Sequence, residues 1–227
     1  MKSILGMLAA LVFMSSAYAQ SPDVASINPA LIAAALITAS ESGDTTRVQA
    51  LIAQGASVKA RDARGRTALL AATHANKLEA ARLLIDAGAD VNAKDDLQDS
   101  AYLYAGAHGR LEILKLTLAA GADLKSTNRY GGTALIPACH YGHVETVREL
   151  LKTKIDIDHV NRLGWTALLE AVILGDGSPT YVQIVRLLVD HRANLNIADR
   201  EGVSPTAHAK RRGFREIAQI LERAGGR

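Results

Sequence analysis

The stretch Asp62-Ala-Arg-Gly65-Arg-Thr67-Ala-Leu69-Leu-Ala-Ala72 decides the architecture, because the chain writes it again at a fixed interval. Thr67, Ser100, Thr133 and Thr166 stand 33 residues apart, and each precedes an alanine. Asp62, Asp95, Asn128 and Asn161 lead them at the same period. Gly55-Ala56-Ser57 returns as Gly88-Ala89-Asp90 and Gly121-Ala122-Asp123, and Leu78-Glu79 as Leu111-Glu112 and Val144-Glu145. Past Gly175 the register slips, most economically through an insertion at 176–180, then resumes at Val182. A period of this length marks a stack of small units, none able to bury its apolar face alone.

One unit can be read in order. A Thr or Ser hydroxyl caps a short inner helix such as 67–73 by accepting from an orphan amide. A turn follows at Gly109, Gly142 or Gly213, then an outer helix such as 78–86 with Leu83, Leu84 and Ile85 on its packed side. Gly55, Gly88 or Gly121 ends the outer helix in a left-handed cap. Lys154 and Arg192 occupy the same place in later copies, so the same strained conformation is expected there. An extended segment then leads into a hairpin tip started by Asp or Asn. Alanines at 71, 72, 105 and 171 allow close approach of successive inner helices.

The pattern resembles the ankyrin repeat over residues 29–227, in six copies: 29–60, 62–93, 95–126, 128–159, 161–197 and 199–227. The resemblance implies an all-α solenoid of helix-turn-helix repeats with short β-hairpin tips. The sequence departs from the family in two places. Alanine replaces the helix-start proline except at Pro205, and Leu70, Leu103, Ile136 and Leu169 replace its histidine, which removes a hydrogen bond between neighbouring tips. A short chain of this kind behind a leader is similar to small exported all-ankyrin-repeat proteins of bacteria.

That leader is residues 1–19: Lys2, an apolar run from Ile4 to Met14, and the small-x-small site Ala17-Tyr18-Ala19. The run is too short to span a bilayer comfortably. Cleavage before Gln20 is expected, with 20–28 as linker, and the protein is expected to be exported, most simply to the periplasm. A chain of 227 residues that is 48% hydrophobic and 22% charged is too apolar to be disordered. It carries a net charge of only +3, concentrated nowhere except Lys210-Arg211-Arg212, which argues against nucleic acid as the partner. One cysteine excludes an intrachain disulfide.

The resemblance implies a protein partner, bound along a concave groove of inner-helix faces and tips by a monomer with no chemistry of its own. Helix positions four, seven and eight after each cap share one face. They place His74, Tyr104, His108, His140, Tyr141, Glu170 and Arg211 on that groove, beside Ala71, Pro137 and Leu174. Tip residues add Arg66, Arg129, Tyr130, Arg162 and Trp165. Aromatic residues make up only 4% of the chain, so their concentration in repeats three to five suits a binding surface. Two other readings are an enzymatic or metal-dependent accessory protein using the His/Glu groove, and a secreted effector acting on host proteins. The first lacks a paired His spacing on one helix, so no metal, cofactor or catalytic residue is assigned. Cys139 is expected to be a buried, inert thiol.

Overall fold

The computed structural model describes residues 28–227, so the expected leader and most of the expected linker lie outside the described residues. Each repeat period becomes a pair of antiparallel helices. The pairs are α1 (Pro29–Ser42) with α2 (Thr45–Ala53), α3 (Ala68–His74) with α4 (Leu78–Asp86), and α5 (Ala101–Ala107) with α6 (Leu111–Ala119). They continue as α7 (Leu135–His140) with α8 (Val144–Leu151), α9 (Ala167–Ile173) with α10 (Pro179–Asp190), and α11 (Pro205–Arg211) with α12 (Arg215–Arg223). Inner helix packs on inner helix and outer on outer along the stack. The core lies between the two rows: Leu69, Leu84, Leu114, Leu135, Leu150 and Leu168 are buried. The small residues have the expected effect. Ala71, Ala72, Ala105 and Ala171 are buried, and a Cβ added to Gly106 would come within 2.8 Å of the Ala134 methyl.

The tips are tight turns with one isolated bridge, Arg61 to Thr67, among the described residues. Their shape comes from the Asp or Asn that opens them. Asn128 Oδ1 accepts from the amides of Tyr130 and Gly132, and Asp62, Asp95, Asn161 and Asp199 repeat the arrangement. The loss of the family histidine does not leave the tips untied. Arg61 donates to the Lys94 carbonyl at 2.5 Å, Lys94 to that of Thr127 at 2.7 Å, and Arg162 to that of Arg129 at 3.1 Å. Long cationic side chains have taken over the ladder.

Three local expectations are corrected. Arg192 adopts the left-handed conformation (φ 64°), but Lys154 does not. In repeat four Thr153 closes the helix instead: its hydroxyl donates to the Leu150 carbonyl at 2.6 Å and accepts from the Ile155 amide at 3.2 Å. The side chain supplies what the glycine turn provides in repeat three, where Gly121 has φ 86°. Thr133, secondly, does not cap its helix. Thr67, Ser100, Thr166 and Ser204 accept from the amide three residues on, whereas the Thr133 hydroxyl is buried without a partner. Pro137 is the cause. In the other repeats the cap carbonyl accepts from the fourth residue along, as Thr166 does from Glu170 at 2.9 Å, and proline has no N–H to give. The first turn tightens to an Ile136-to-Thr133 bond at 3.3 Å and helix α7 begins late. Thirdly, the 176–180 insertion is not wholly outside the repeat unit, since Pro179 and Thr180 add to the start of α10.

Tyr102 sits where Leu69, Leu135 and Leu168 sit in other repeats. It is fully buried, and its hydroxyl has no hydrogen-bond partner. Tyr102→Phe is therefore expected to stabilise the fold by about 1 kcal/mol or more, by removing a desolvated polar group without leaving a void. A lower urea midpoint for the variant would show that the hydroxyl is satisfied.

Candidate functional site

The inner-helix face gathers a ribbon of rings. His74 stacks on Tyr104 with centroids 3.8 Å apart, Tyr104 on His108 at 3.7 Å, and His140 on Tyr141 at 4.2 Å. His108 and Tyr141 link the two halves at 6.5 Å. The ribbon arises because positions four, seven and eight share one face: Tyr104 and His108 lie one turn apart, and His74 and Tyr141 meet them from the repeats on either side. Packing and exposure coexist in it: Tyr104 is half-buried, whereas Tyr141 is 57% exposed.

Beside the ribbon a hollow of about 300 Å³ opens between the tips and inner helices of repeats three to five. Pro137 and Ile136 lie against it, and Tyr130, Tyr141, Leu163 and Leu174 line it while remaining among the most exposed large apolar residues described. In repeat five the fourth helix residue reaches back to the tip, with Asn161 Nδ2 donating to Glu170 Oε1 at 2.9 Å. In repeat six His208 Nε2 and Asp199 Oδ2 make the same tie at 2.6 Å. Repeat four has Asn128 and Pro137 at those places, and the proline ring cannot make the bond. Both line the hollow.

Of the residues expected at the binding surface, Tyr104, His108, Arg129, Tyr130, His140, Tyr141 and Glu170 come together on the ribbon and hollow. The others separate. Arg66 is 5% exposed, which corrects its placement on the surface. Its guanidinium donates to Asp62 Oδ2 at 2.8 Å and to Glu41 Oε1 at 3.1 Å, tying the second tip to α1. Burial opposes ionisation of Asp62, but the bonds from Arg66 and from the tip amides hold that carboxyl below its ordinary range. His74 ends the ribbon, with its Nε2 buried. Arg162 and Arg211 are exposed and Trp165 is half-buried, and none of the three lines the hollow. Two contributors escaped the sequence reading or were underweighted: Leu163 and Leu174. The period signals Leu163, which is 33 residues after Tyr130 at the same tip position.

Glu170 is corrected as well: it is 5% exposed rather than open to solvent. The fourth helix position faces the neighbouring stack, and Ala71 is buried there too. Burial raises the Glu170 carboxyl to about 7, against the bond from Asn161, which favours ionisation. His140 Nδ1 lies 3.4 Å from Glu170 Oε2, and burial lowers the imidazole. The contact is long for a charge-assisted bond, so desolvation governs both groups and moves them toward a neutral pair. Asp99, at the other end of the hollow, is raised by burial and by Asp95, while Arg129 at 3.6 Å opposes.

Among the described residues no three His, Cys, Asp or Glu side chains converge to hold a metal ion. Cys139 is fully buried and burial pushes its thiol far up, as expected of an inert thiol. Among the described residues no helix is long and apolar enough to cross a membrane.

The fold and site thus define a helix-pair repeat protein whose long inner face is its distinctive surface. A family model for ankyrin repeats in three copies matches residues 15–95 and 101–199, and the chain belongs to the ankyrin-repeat family. The curated relative it matches, a putative ankyrin repeat protein YahD of Escherichia coli (strain K12), is 45% identical over 56 residues. That match spans 25% of this chain and 28% of the relative. Among solved structures, an ankyrin repeat domain from Acinetobacter baumannii AYE superposes with a TM-score of 0.83 at 56% identity, over 85% of this chain and 98% of its own. The ankyrin repeat protein EF0377 follows at 0.81 and 42%, over 84% and 97%. The ankyrin repeat domain of Bcl-3, a member of the IkappaB family, gives 0.77 and 30%, over 85% and 86%. Ankyrin repeats are in general protein-interaction modules.

Proposed function

We propose that the protein is an exported, non-catalytic binding module that grips a partner polypeptide along the inner face of repeats three to five. The observation that carries this reading is the exposed quartet Tyr130, Tyr141, Leu163 and Leu174 around a hollow. Large apolar side chains left at the rim of a pocket are what a partner's anchor residue requires, and tyrosine offers contact area at little rotamer cost. The 1–19 leader supports export, and the periplasm is the compartment such a leader most simply serves.

The test is affinity capture from a periplasmic extract, followed by binding measurements on the captured protein. Tyr141→Ala is expected to weaken binding by about 2 kcal/mol while leaving the fold intact. Trp165→Ala should have a smaller effect, because that ring stands off the hollow. Glu149→Ala on outer helix α8 serves as the control. Equal affinity for Tyr141→Ala and the control would move the site off this face. The mass of the exported protein should begin at Gln20, and a membrane-held species retaining Met1 would remove the export half of the reading.

A further inference from the structure

We propose that the hollow is a receptor for one basic side chain, lysine or arginine, of the bound polypeptide, with its stem against the tyrosine and leucine rim and its cationic head on Glu170. This rests on the protein-binding reading above and specifies its chemistry. Lysine and arginine are amphipathic along their length, an apolar stem ending in a charge. The hollow is graded in the same way: Tyr130, Tyr141, Leu163 and Leu174 at the rim, and the buried Glu170 carboxyl among its lining. At about 300 Å³ it is at the low end for a ligand pocket, suited to one long side chain.

The charge at the site is incomplete, and in a particular direction. Arg66, the buried cation of repeat two, meets two carboxylates. Glu170 is a buried acid that meets no full cation. Its Oε1 accepts from the Asn161 amide, and its Oε2 faces the His140 imidazole at 3.4 Å. Arg129, the only Arg or Lys on the lining among the described residues, is directed at Asp99 (3.6 Å) and lies 4.9 Å over the Tyr130 ring. That Arg129 stacks there shows a cation to be compatible with the aromatic rim. From the packed neighbours, His208 on α11 is held by Asp199, and Arg212 donates to the Gly175 carbonyl at 2.8 Å. An incoming ammonium or guanidinium supplies the missing partner, and the carboxyl gives up its proton to solvent as it binds.

The experiment titrates the isotopically labelled protein with three blocked tripeptides, Gly-Lys-Gly, Gly-norleucine-Gly and Gly-Glu-Gly, up to millimolar concentration by NMR. The lysine peptide should shift the amides of Tyr130, Leu163 and Glu170, and bind about tenfold or more tighter than its uncharged norleucine isostere. Its affinity should fall about tenfold from about pH 8 to about pH 6, as Glu170 retains its proton. Glu170→Gln should abolish the preference for lysine while leaving the norleucine peptide unaffected, and Tyr141→Ala should weaken both. Equal binding of the lysine and norleucine peptides, or no shift with lysine, overturns the proposal. The captured partner separates the two readings. A complex that depends on Tyr141 but ignores Glu170→Gln keeps the binding face and removes the cation receptor; a complex indifferent to both removes both.

Discussion

Gly175→Ala is expected to cost about 3 kcal/mol or more of stability, and to loosen the last two repeats selectively. A methyl group at this position would stand 2.2 Å from the Ala171 carbonyl oxygen and 2.5 Å from the Tyr181 ring. The carbonyl belongs to the last turn of α9 and cannot retreat without unwinding it. The ring is tethered too, because the Tyr181 hydroxyl donates to the His140 carbonyl at 2.7 Å. From the other side Arg212 donates to the Gly175 carbonyl. One residue thus joins repeats four, five and six, and overpacking a site with no soft neighbour is among the costly classes of substitution. Gly121→Ala is the contrast: no atom lies within 4 Å of the added methyl, and only the left-handed φ of 86° opposes it, costing about 1 kcal/mol. Because contacts in a solenoid are between neighbours, the damage should stay local. Hydrogen exchange should speed up in α9 to α12 while α3 and α4 remain protected. A loss below about 1 kcal/mol, no larger than for Gly121→Ala, would mean that the insertion has room to move.

The repeat itself was legible because its physics is local. The Asp or Asn that opens each tip, the hydroxyl that caps each inner helix and the glycine after each outer helix all act within a few residues, and a period of 33 aligns them. Arg192 in the left-handed conformation followed from that alignment; Lys154 did not, because Thr153 beside it offered a side-chain alternative. The face that gathers Tyr104, His108, His140 and Tyr141 was equally legible from helical geometry. What could not be read was which of the aligned positions would be open. Arg66 and Trp165 occupy the same tip position, yet Arg66 is buried because Glu41 stands on α1 to receive it. That meeting depends on a residue 25 positions away. The hollow opens beside Asn128 and Pro137, a pair that lacks the tie Glu170 and His208 make in the following repeats.

Glu170→Gln is expected to stabilise the protein by about 3 kcal/mol at about pH 8 and to leave it unchanged at about pH 4. The folded carboxyl is raised to about 7 from an ordinary value of 4.5, chiefly by burial. Below the unfolded value the proton is bound in both states, so the group contributes no difference. Between the two values only the folded state keeps the proton, so stability falls as pH rises, and above about 7 the full cost of burying the charge is present. Glutamine carries no charge and keeps an oxygen for the Asn161 amide, so the bond at 2.9 Å has a counterpart in the variant. His140 works in the opposite sense: its burial-lowered imidazole favours the fold as pH rises toward the ordinary histidine value. Because His140 touches Glu170, its contribution cancels only in part, and His140→Gln in both backgrounds separates the two. The measurement is a series of urea denaturations of the two proteins from acid to mild alkali. A difference that is flat across the series would mean that Glu170 titrates in the fold near its ordinary value, the cost of burial offset by a positive partner such as a protonated His140. The hollow would then already hold its own cation, and the acid would owe its ionisation to a partner within the chain. A difference that opens between about pH 5 and pH 7 identifies instead a carboxyl kept neutral by its surroundings. Such a group is only about half ionised at neutral pH, and a positive charge entering the hollow would complete its ionisation.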